Sequence, residues 1–149
     1  MRMKKTLLLM ALICCMSAGL RAESGTCGAN LNWSFEGITL TITGSGAMTN
    51  YESYDSAPWY SIRESIMQVS LPEELTTIGK NAFNSCTKLR LVTIPAKVTT
   101  IANNAFDNCQ VMRGVTFAPS STLQTIGEYA FARCYALTSI SLPSSLKTI

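Results

Sequence analysis

The second half of the chain repeats itself, and an internal repeat constrains a fold more tightly than any bulk property. Three segments align: IGKNAFNSCTKLRLVTIPAKVTT from Ile78, IANNAFDNCQVMRGVTFAPSSTLQT from Ile101 and IGEYAFARCYALTSISLPSSLKT from Ile126. Ile78, Ile101, Ile126 and Ile149 are spaced by 23, 25 and 23 residues. Ala-Phe recurs as Ala82-Phe83, Ala105-Phe106 and Ala130-Phe131, and a cysteine follows each Phe at the same distance (Cys86, Cys109, Cys134). Apolar columns continue through Leu89, Met112 and Leu137, then Val92, Val115 and Ile140, then Ile94, Phe117 and Leu142, and finally Val98, Leu123 and Leu146. A unit this short cannot bury enough apolar surface to fold alone, so the units must stack on one another.

Within each unit the AFxxCxxL stretch spaces its apolar residues like one face of a helix, and the VxI or IxL that follows alternates like a short strand. Pro72, Pro95 and Pro143 stand just past that strand and end it, because proline removes a ladder donor. One short helix, one short strand and a turn in about 23 residues is leucine-rich-repeat geometry. The expected fold is therefore an α/β repeat solenoid wound as a right-handed superhelix. A partial earlier unit contributes Ile66, Val69, Leu71-Pro72 and Leu75, with Ala57 and Trp59 where Ala-Phe would stand. Residues 66–149 thus hold about three and a half units, with an uncapped C-terminal edge.

Residues 23–65 lack this period. Leu31, Trp33 and Phe35 alternate, Glu36-Gly37 reads as a turn, and Ile38, Leu40 and Ile42 alternate again, which predicts a β-hairpin with one apolar face. A lone hairpin is marginal in water, so that face is expected to cap the first repeat. Gly44, Gly46 and Pro58 mark a looping link that carries Tyr51, Tyr54, Trp59 and Tyr60. Gly44-Ser45-Gly46 reads as a turn, since it lacks the third glycine and the strand-to-helix setting of a phosphate loop.

Residues 1–22 read as a secretory signal peptide: Arg2, Lys4 and Lys5, an apolar run from Leu7 to Met16, then small residues. The run is too short to span a bilayer comfortably. Cleavage is placed after Ala22, with Gly19 as the alternative. Cys14 and Cys15 follow Ile13 and Cys14 rather than a small residue, which disfavours a lipid anchor. The whole chain has 12 basic and 9 acidic side chains. Removing the leader takes Arg2, Lys4, Lys5 and Arg21 with it, so the remainder is nearly neutral and has no cationic surplus to neutralise phosphates. Nucleic acid is therefore not an expected partner.

The chain contains no histidine. That excludes Ser-His-Asp and Cys-His nucleophilic machinery, histidine acid/base chemistry and imidazole-based zinc sites. No two carboxylates have a spacing that places them across a cleft, so glycosidase chemistry has no support. Glu52 and Asp55 are the only candidates for an exported enzyme. The expectation is a non-enzymatic chain with no catalytic residues and no cofactor or metal. Cys86, Cys109 and Cys134 share a column for which free buried thiols are the favoured state, a disulfide or metal ladder the alternatives. Cys27 has no identifiable partner.

Strand residues between the inward-facing positions should line the concave side of a solenoid, where such proteins bind. These are Gln68 and Ser70, Leu91 and Thr93, Gly114 and Thr116, and Ser139 and Ser141, with Ser70, Thr93, Thr116 and Ser141 forming a hydroxyl column. Threonine is also simply a good strand residue. Asn32-Trp33-Ser34 matches the N-glycosylation pattern, which matters only in a eukaryotic secretory route.

The repeat IGxxAFxxCxxLxxVxIPxxVxxI closely resembles the BspA-type leucine-rich repeats of bacterial surface proteins. SGTCGANLNW, ITLTITGSGAMTNY and APWYSIRESI likewise resemble the region preceding the repeats in many members, so the likeness covers most of residues 24–149. The resemblance implies a secreted or surface-attached protein that binds other proteins. Its relatives are associated with adhesion to matrix proteins such as fibronectin and fibrinogen and with cell aggregation. Ala102 departs from the Gly of Gly79 and Gly127, and the unit from Ile101 carries two extra residues around Pro119 to Thr122. Relatives usually have more repeats and a C-terminal attachment device. The alternative expectation is a structural spacer, or a truncated piece of a larger surface protein, that self-associates through the edge near Leu142 to Ile149.

Overall fold

The computed structural model describes residues 23–149. Residues 1–22, read above as a signal peptide with cleavage after Ala22, lie outside the described residues. Alternation in the N-terminal segment does what the sequence suggests, with one strand more. Strands β1 (Glu23–Gly28), β2 (Leu31–Glu36) and β3 (Thr39–Gly44) form an antiparallel meander. Leu31, Trp33, Phe35, Leu40 and Ile42 are buried on one face. Ile38 falls in the β2–β3 turn beside Gly37 (φ +62°) and is exposed. β1 escapes a reading by apolar alternation because its inward positions are Gly25 and Cys27, and at Gly25 a Cβ would sit 2.9 Å from the Trp33 indole nitrogen.

The repeats then extend this sheet rather than merely abutting it. After the two-residue β4 (Gly46–Ala47) come β5 (Gln68–Ser70), β6 (Leu75–Ile78), β7 (Leu91–Ile94), β8 (Thr100–Ile101), β9 (Gly114–Phe117) and β10 (Thr125–Ile126). One six-stranded sheet runs β1-β2-β3-β5-β7-β9, and a second, parallel one runs β10-β8-β6-β4. β3 pairs with β5 in parallel, Thr39 opposite Gln68 and Thr41 opposite Ser70. β7 and β9 pair from Leu91–Gly114 to Ile94–Phe117, one unit apart. Leu75, Val98 and Leu146 each donate their N–H to the carbonyl of Pro72, Pro95 or Pro143, closing a turn between the two strand positions of a unit.

The AFxxCxxL stretches are not helices, which corrects the α component of the expected fold. The only helix among the described residues is a 3-10 segment, Tyr60–Ser65. Two residues per unit adopt left-handed backbone: Asn81, Asn104 and Tyr129 before the Ala, and Ser85, Asn108 and Arg133 before the Cys, with φ between 54° and 63°. This alternation splits the N–H groups into two sets. Those of Ala82, Asn84 and Cys86 turn inward to Gly79, Asn81 and Phe83, whereas those of Asn81, Phe83 and Ser85 reach the carbonyls of Asn103, Ala105 and Asp107 in the next unit. Asn104, Phe106 and Asn108 repeat the pattern onto Glu128, Ala130 and Ala132. An α-helix would consume every such donor internally. The chain forgoes that and ties neighbouring units by backbone instead.

Close ladder spacing lets the Phe column stack. Trp59 packs on Phe83 (centroids 5.6 Å), Phe83 on Phe106 (5.1 Å) and Phe106 on Phe131 (5.4 Å), all nearly parallel. Trp59 thus occupies the Phe position of the earlier unit, and its indole N–H donates to the Ala82 carbonyl at 2.8 Å. Trp33 and Tyr51 meet Trp59 edge-on and carry the core into the N-terminal segment.

The four described cysteines are free and buried. What the structure shows is a donor role: Cys109 Sγ lies 3.3 Å from the Phe83 carbonyl oxygen, and Cys134 Sγ 3.2 Å from that of Phe106. Burial pushes the Cys27 thiol up to about 11 and Cys86 to about 12. When Cys134 ionises, the neighbouring Cys109 S–H can turn to its thiolate, which lowers Cys134 and raises Cys109. Thiolate is the reactive species. A thiol reagent at pH 8 should therefore label Cys134 first, and reach Cys86 and Cys109 only as the chain unfolds. Equal native rates, followed by mass spectrometry, would contradict this placement.

Candidate functional site

Residues directly opposite in a sheet share a face, so register alone locates the outward side chains. Ser24 pairs with Ser34, Ser34 with Thr41 and Thr41 with Ser70. The Gln68–Leu91 pairing sets Ser70 beside Thr93, which pairs with Thr116. Six hydroxyl residues thus form one row across all six strands, each one strand spacing (about 4.8 Å) from the next. Ser24, Ser34, Ser70, Thr93 and Thr116 are exposed, Thr41 half-buried. The Thr93 and Thr116 hydroxyls are 2.9 Å apart.

A second row lies two residues toward the strand starts: Thr39, Gln68, Leu91 and Gly114. Thr39 donates its hydroxyl hydrogen to Gln68 Oε1 at 3.3 Å. Leu91 is 63% exposed and leans over Gly114, where an added Cβ would stand 3.1 Å from its Cδ2. Glycine at 114 therefore leaves room for the one large apolar side chain on this face. Beyond the strand ends, Ser70 and Thr93 continue into a groove of about 610 Å³ whose floor includes Val69, Leu71 and Pro95. Glu73, Glu74 and Lys97 flank it, and Lys97 Nζ sits 2.6 Å from both Glu74 carboxylate oxygens.

Six of the eight sequence-predicted residues, Gln68, Ser70, Leu91, Thr93, Gly114 and Thr116, are thus brought together on one face. Ser139 and Ser141 are not: residues 138–142 form no strand and make no ladder with β9. A cleft of about 660 Å³ lies between them and β9 instead. The anchors that would seat a strand there are weak, since Ile140 is only half-buried and Leu142 is exposed. The segment is tied at its flanks, by Ala136 N–H to Gln110 O and by Lys147 N–H to Gln124 O. Conversely, Ser24, Ser34 and Thr41 join the row without having been predicted. Their signal was the outward half of the β2 and β3 alternation, which matters only once β3 is known to pair with β5.

The opposite, turn-bearing side is built for packing. Asp107 is buried and receives Arg133 through Nε (2.9 Å) and Nη2 (2.5 Å). Asn81 donates from Nδ2 to the Tyr51 carbonyl. Glu52 and Asp55 are exposed, and Asp55 accepts from the Ser53 hydroxyl. Among the described residues no group of three or more Cys, Asp or Glu is placed to hold a metal ion, and no helix is long and apolar enough to cross a membrane.

Comparison with known proteins agrees with this geometry. A family model described as BspA type leucine rich repeat region (6 copies) matches residues 58–149, beginning next to Trp59, where the aromatic stack begins. No curated protein matches the chain. The crystal structure of a leucine-rich repeat protein from Eubacterium ventriosum is similar over 85% of this chain and 40% of its own, at 26% identity and a TM-score of 0.69. The T. pallidum leucine rich repeat protein is similar over 84% of this chain and 64% of its own, at 25% identity and a TM-score of 0.58. A Bacteroides ovatus leucine-rich repeat protein shares the fold at 20% identity and a TM-score of 0.50, over 78% of this chain and 41% of its own. The chain thus spans less than two thirds of each of these relatives.

Proposed function

Given that the chain belongs to the BspA-type leucine-rich repeat family, we propose that it is an exported, non-catalytic protein-interaction module that acts in adhesion at the cell surface. The single observation that carries this reading is the exposed face of the six-stranded sheet, where a hydroxyl row and the unsupported Leu91 form a continuous surface from β1 to β9. Uncharged donors and acceptors around one apolar side chain suit a protein surface, which offers backbone groups and apolar side chains together. The basic, apolar and small-residue order of residues 1–22 supports export. A winding of the stack that makes this face concave, with the N-terminal meander covering the first repeat, completes the proposal.

Purified residues 23–149 should bind saturably to immobilised matrix proteins such as fibronectin or fibrinogen. Leu91→Ala and Thr93→Ala should each weaken retention about fivefold, the scale of one interface contact. Both positions are exposed, so thermal unfolding should hardly move. Absence of saturable binding to any matrix protein or cell surface would overturn the proposal. The second reading, self-association through the last unit, draws on its exposed Tyr129, Tyr135, Leu142 and Ile149. Sedimentation velocity across a wide concentration range decides it, a strict monomer counting against.

A further inference from the structure

At the starts of the strands, three cations gather on one edge of the stack. Met67, Arg90 and Arg113 occupy one column, held in step by backbone: Arg90 N–H donates to the Met67 carbonyl and Arg113 N–H to that of Arg90. Lys88 and Val111 form the column beside it, and the five side chains line a cavity of about 290 Å³. Arg90 and Arg113 thus project from neighbouring positions of a parallel stack, an arrangement that costs free energy when like charges face each other. Nothing nearby compensates it. The ion pairs among the described residues are Arg63–Glu64, Lys97–Glu74 and Arg133–Asp107, and no carboxylate stands within 4.0 Å of Lys88, Arg90 or Arg113. Glu73 and Glu74 lie at the other ends of the strands, where Lys97 pairs with Glu74, and Glu36 stands two strands away beside Thr39 at the start of β3.

We propose that this cluster is a docking site for an acidic segment of a partner protein, with one apolar side chain seated between Met67 and Val111 and flanking carboxylates on Lys88, Arg90 and Arg113. Complementary charge relieves the uncompensated column, and arginine takes carboxylate through paired donors. The cavity lies below the range of small-molecule sites, about 300–1,000 Å³, which fits a single anchor side chain of a larger ligand. Its floor of methionine and valine suits an apolar anchor and gives a sulfated glycan nothing to bury. Met67 is half-buried and Val111 exposed, so the floor is open to solvent before the ligand arrives. This site rests on the protein-binding reading above and adds to it the chemistry of the partner.

The test uses residues 23–149 and a fluorescein-labelled dodecapeptide of aspartate and glutamate with one central leucine, followed by polarisation. Binding should weaken steeply with salt and fall about tenfold when the leucine becomes serine. The double variant Arg90→Glu/Arg113→Glu should abolish it, and Lys88→Gln should reduce it without shifting thermal unfolding. No binding, unchanged binding to the double variant, or binding only to heparin or to phosphatidylserine vesicles would each overturn the proposal. Retention on matrix proteins, measured with the same double variant, separates the two claims. If it persists while the acidic peptide fails to bind even the unsubstituted chain, the sheet-face reading stands and this site does not.

Discussion

Replacing Phe106 with alanine should lower the unfolding free energy by about 3–5 kcal/mol, the range for truncating a fully buried aromatic. Phe106, like Phe83, meets a neighbour on both faces, here at 5.1 and 5.4 Å, and it has no exposed surface. Each aromatic contact adds about 0.5–1.5 kcal/mol beyond area burial, and alanine removes two of them. The residual cavity cannot collapse easily, because Phe106 N–H is fixed to the Ala130 carbonyl and Phe83 N–H to Ala105. In a stack held by nearest-neighbour interfaces the damage should also be to cooperativity, with a broadened or two-step urea transition. Phe131→Ala should cost less, since that ring is half-buried. Equal losses at the two positions would argue against a continuous stack.

The second large effect is expected at Gly79. This residue lies where the first full repeat meets the N-terminal segment, and a Cβ there would fall inside the carbonyl oxygen of Thr49. That oxygen cannot swing aside as a side chain would. The backbone around it is fixed on both sides by Met48 N–H to Thr77 O, Thr49 N–H to Cys27 O and Tyr51 N–H to Lys80 O. Gly79→Ala should therefore destabilise by about 3 kcal/mol, the upper part of the overpacking range, and do so by separating β4 from β6. Ala102 holds the equivalent place in the next unit, so that unit accepts a methyl, whereas at Gly127 in the one after it a Cβ would stand 2.6 Å from the Asn103 backbone nitrogen. Ala102→Gly should cost far less, since it removes a methyl and forces none against fixed backbone. Thermal unfolding checks both, and a neutral Gly79→Ala would remove the close approach from the account.

Much of the architecture was legible because buried columns are strict. Phe83, Phe106 and Phe131 had to be equivalent, and the register of Val92 with Val115 followed from the same alignment. The turn-bearing side was not legible, since apolar residues at spacings of three satisfy both a helix and a chain of short turns. A hint was present in Asn81, Asn104 and Asn108, asparagine being tolerant of left-handed backbone. Ser85, Tyr129 and Arg133 adopt the same conformation without that preference, because the ladder to the neighbouring unit dictates it. The second sheet was hidden by strands of only two to four residues. For the candidate face, position within a repeat identified Ser70, Thr93 and Thr116. Ser24, Ser34 and Thr41 needed the β3–β5 pairing, a long-range fact that local pattern does not contain.

The hydrogen bonds that couple the units have a direction as well as a strength. On the turn side, Asn81, Phe83 and Ser85 donate toward the C-terminal neighbour, whereas Thr99, Ala102, Arg113 and Ala118 donate toward the N-terminal one. Peptide dipoles on the two sides of the stack therefore run against each other. In an α-helix they add, and the ends acquire a partial charge. Here, lengthening the array by another unit adds opposed dipoles and no comparable polarity. The electrostatic field of such a protein is consequently written chiefly by its side chains, and two arginines in one column weigh heavily in it.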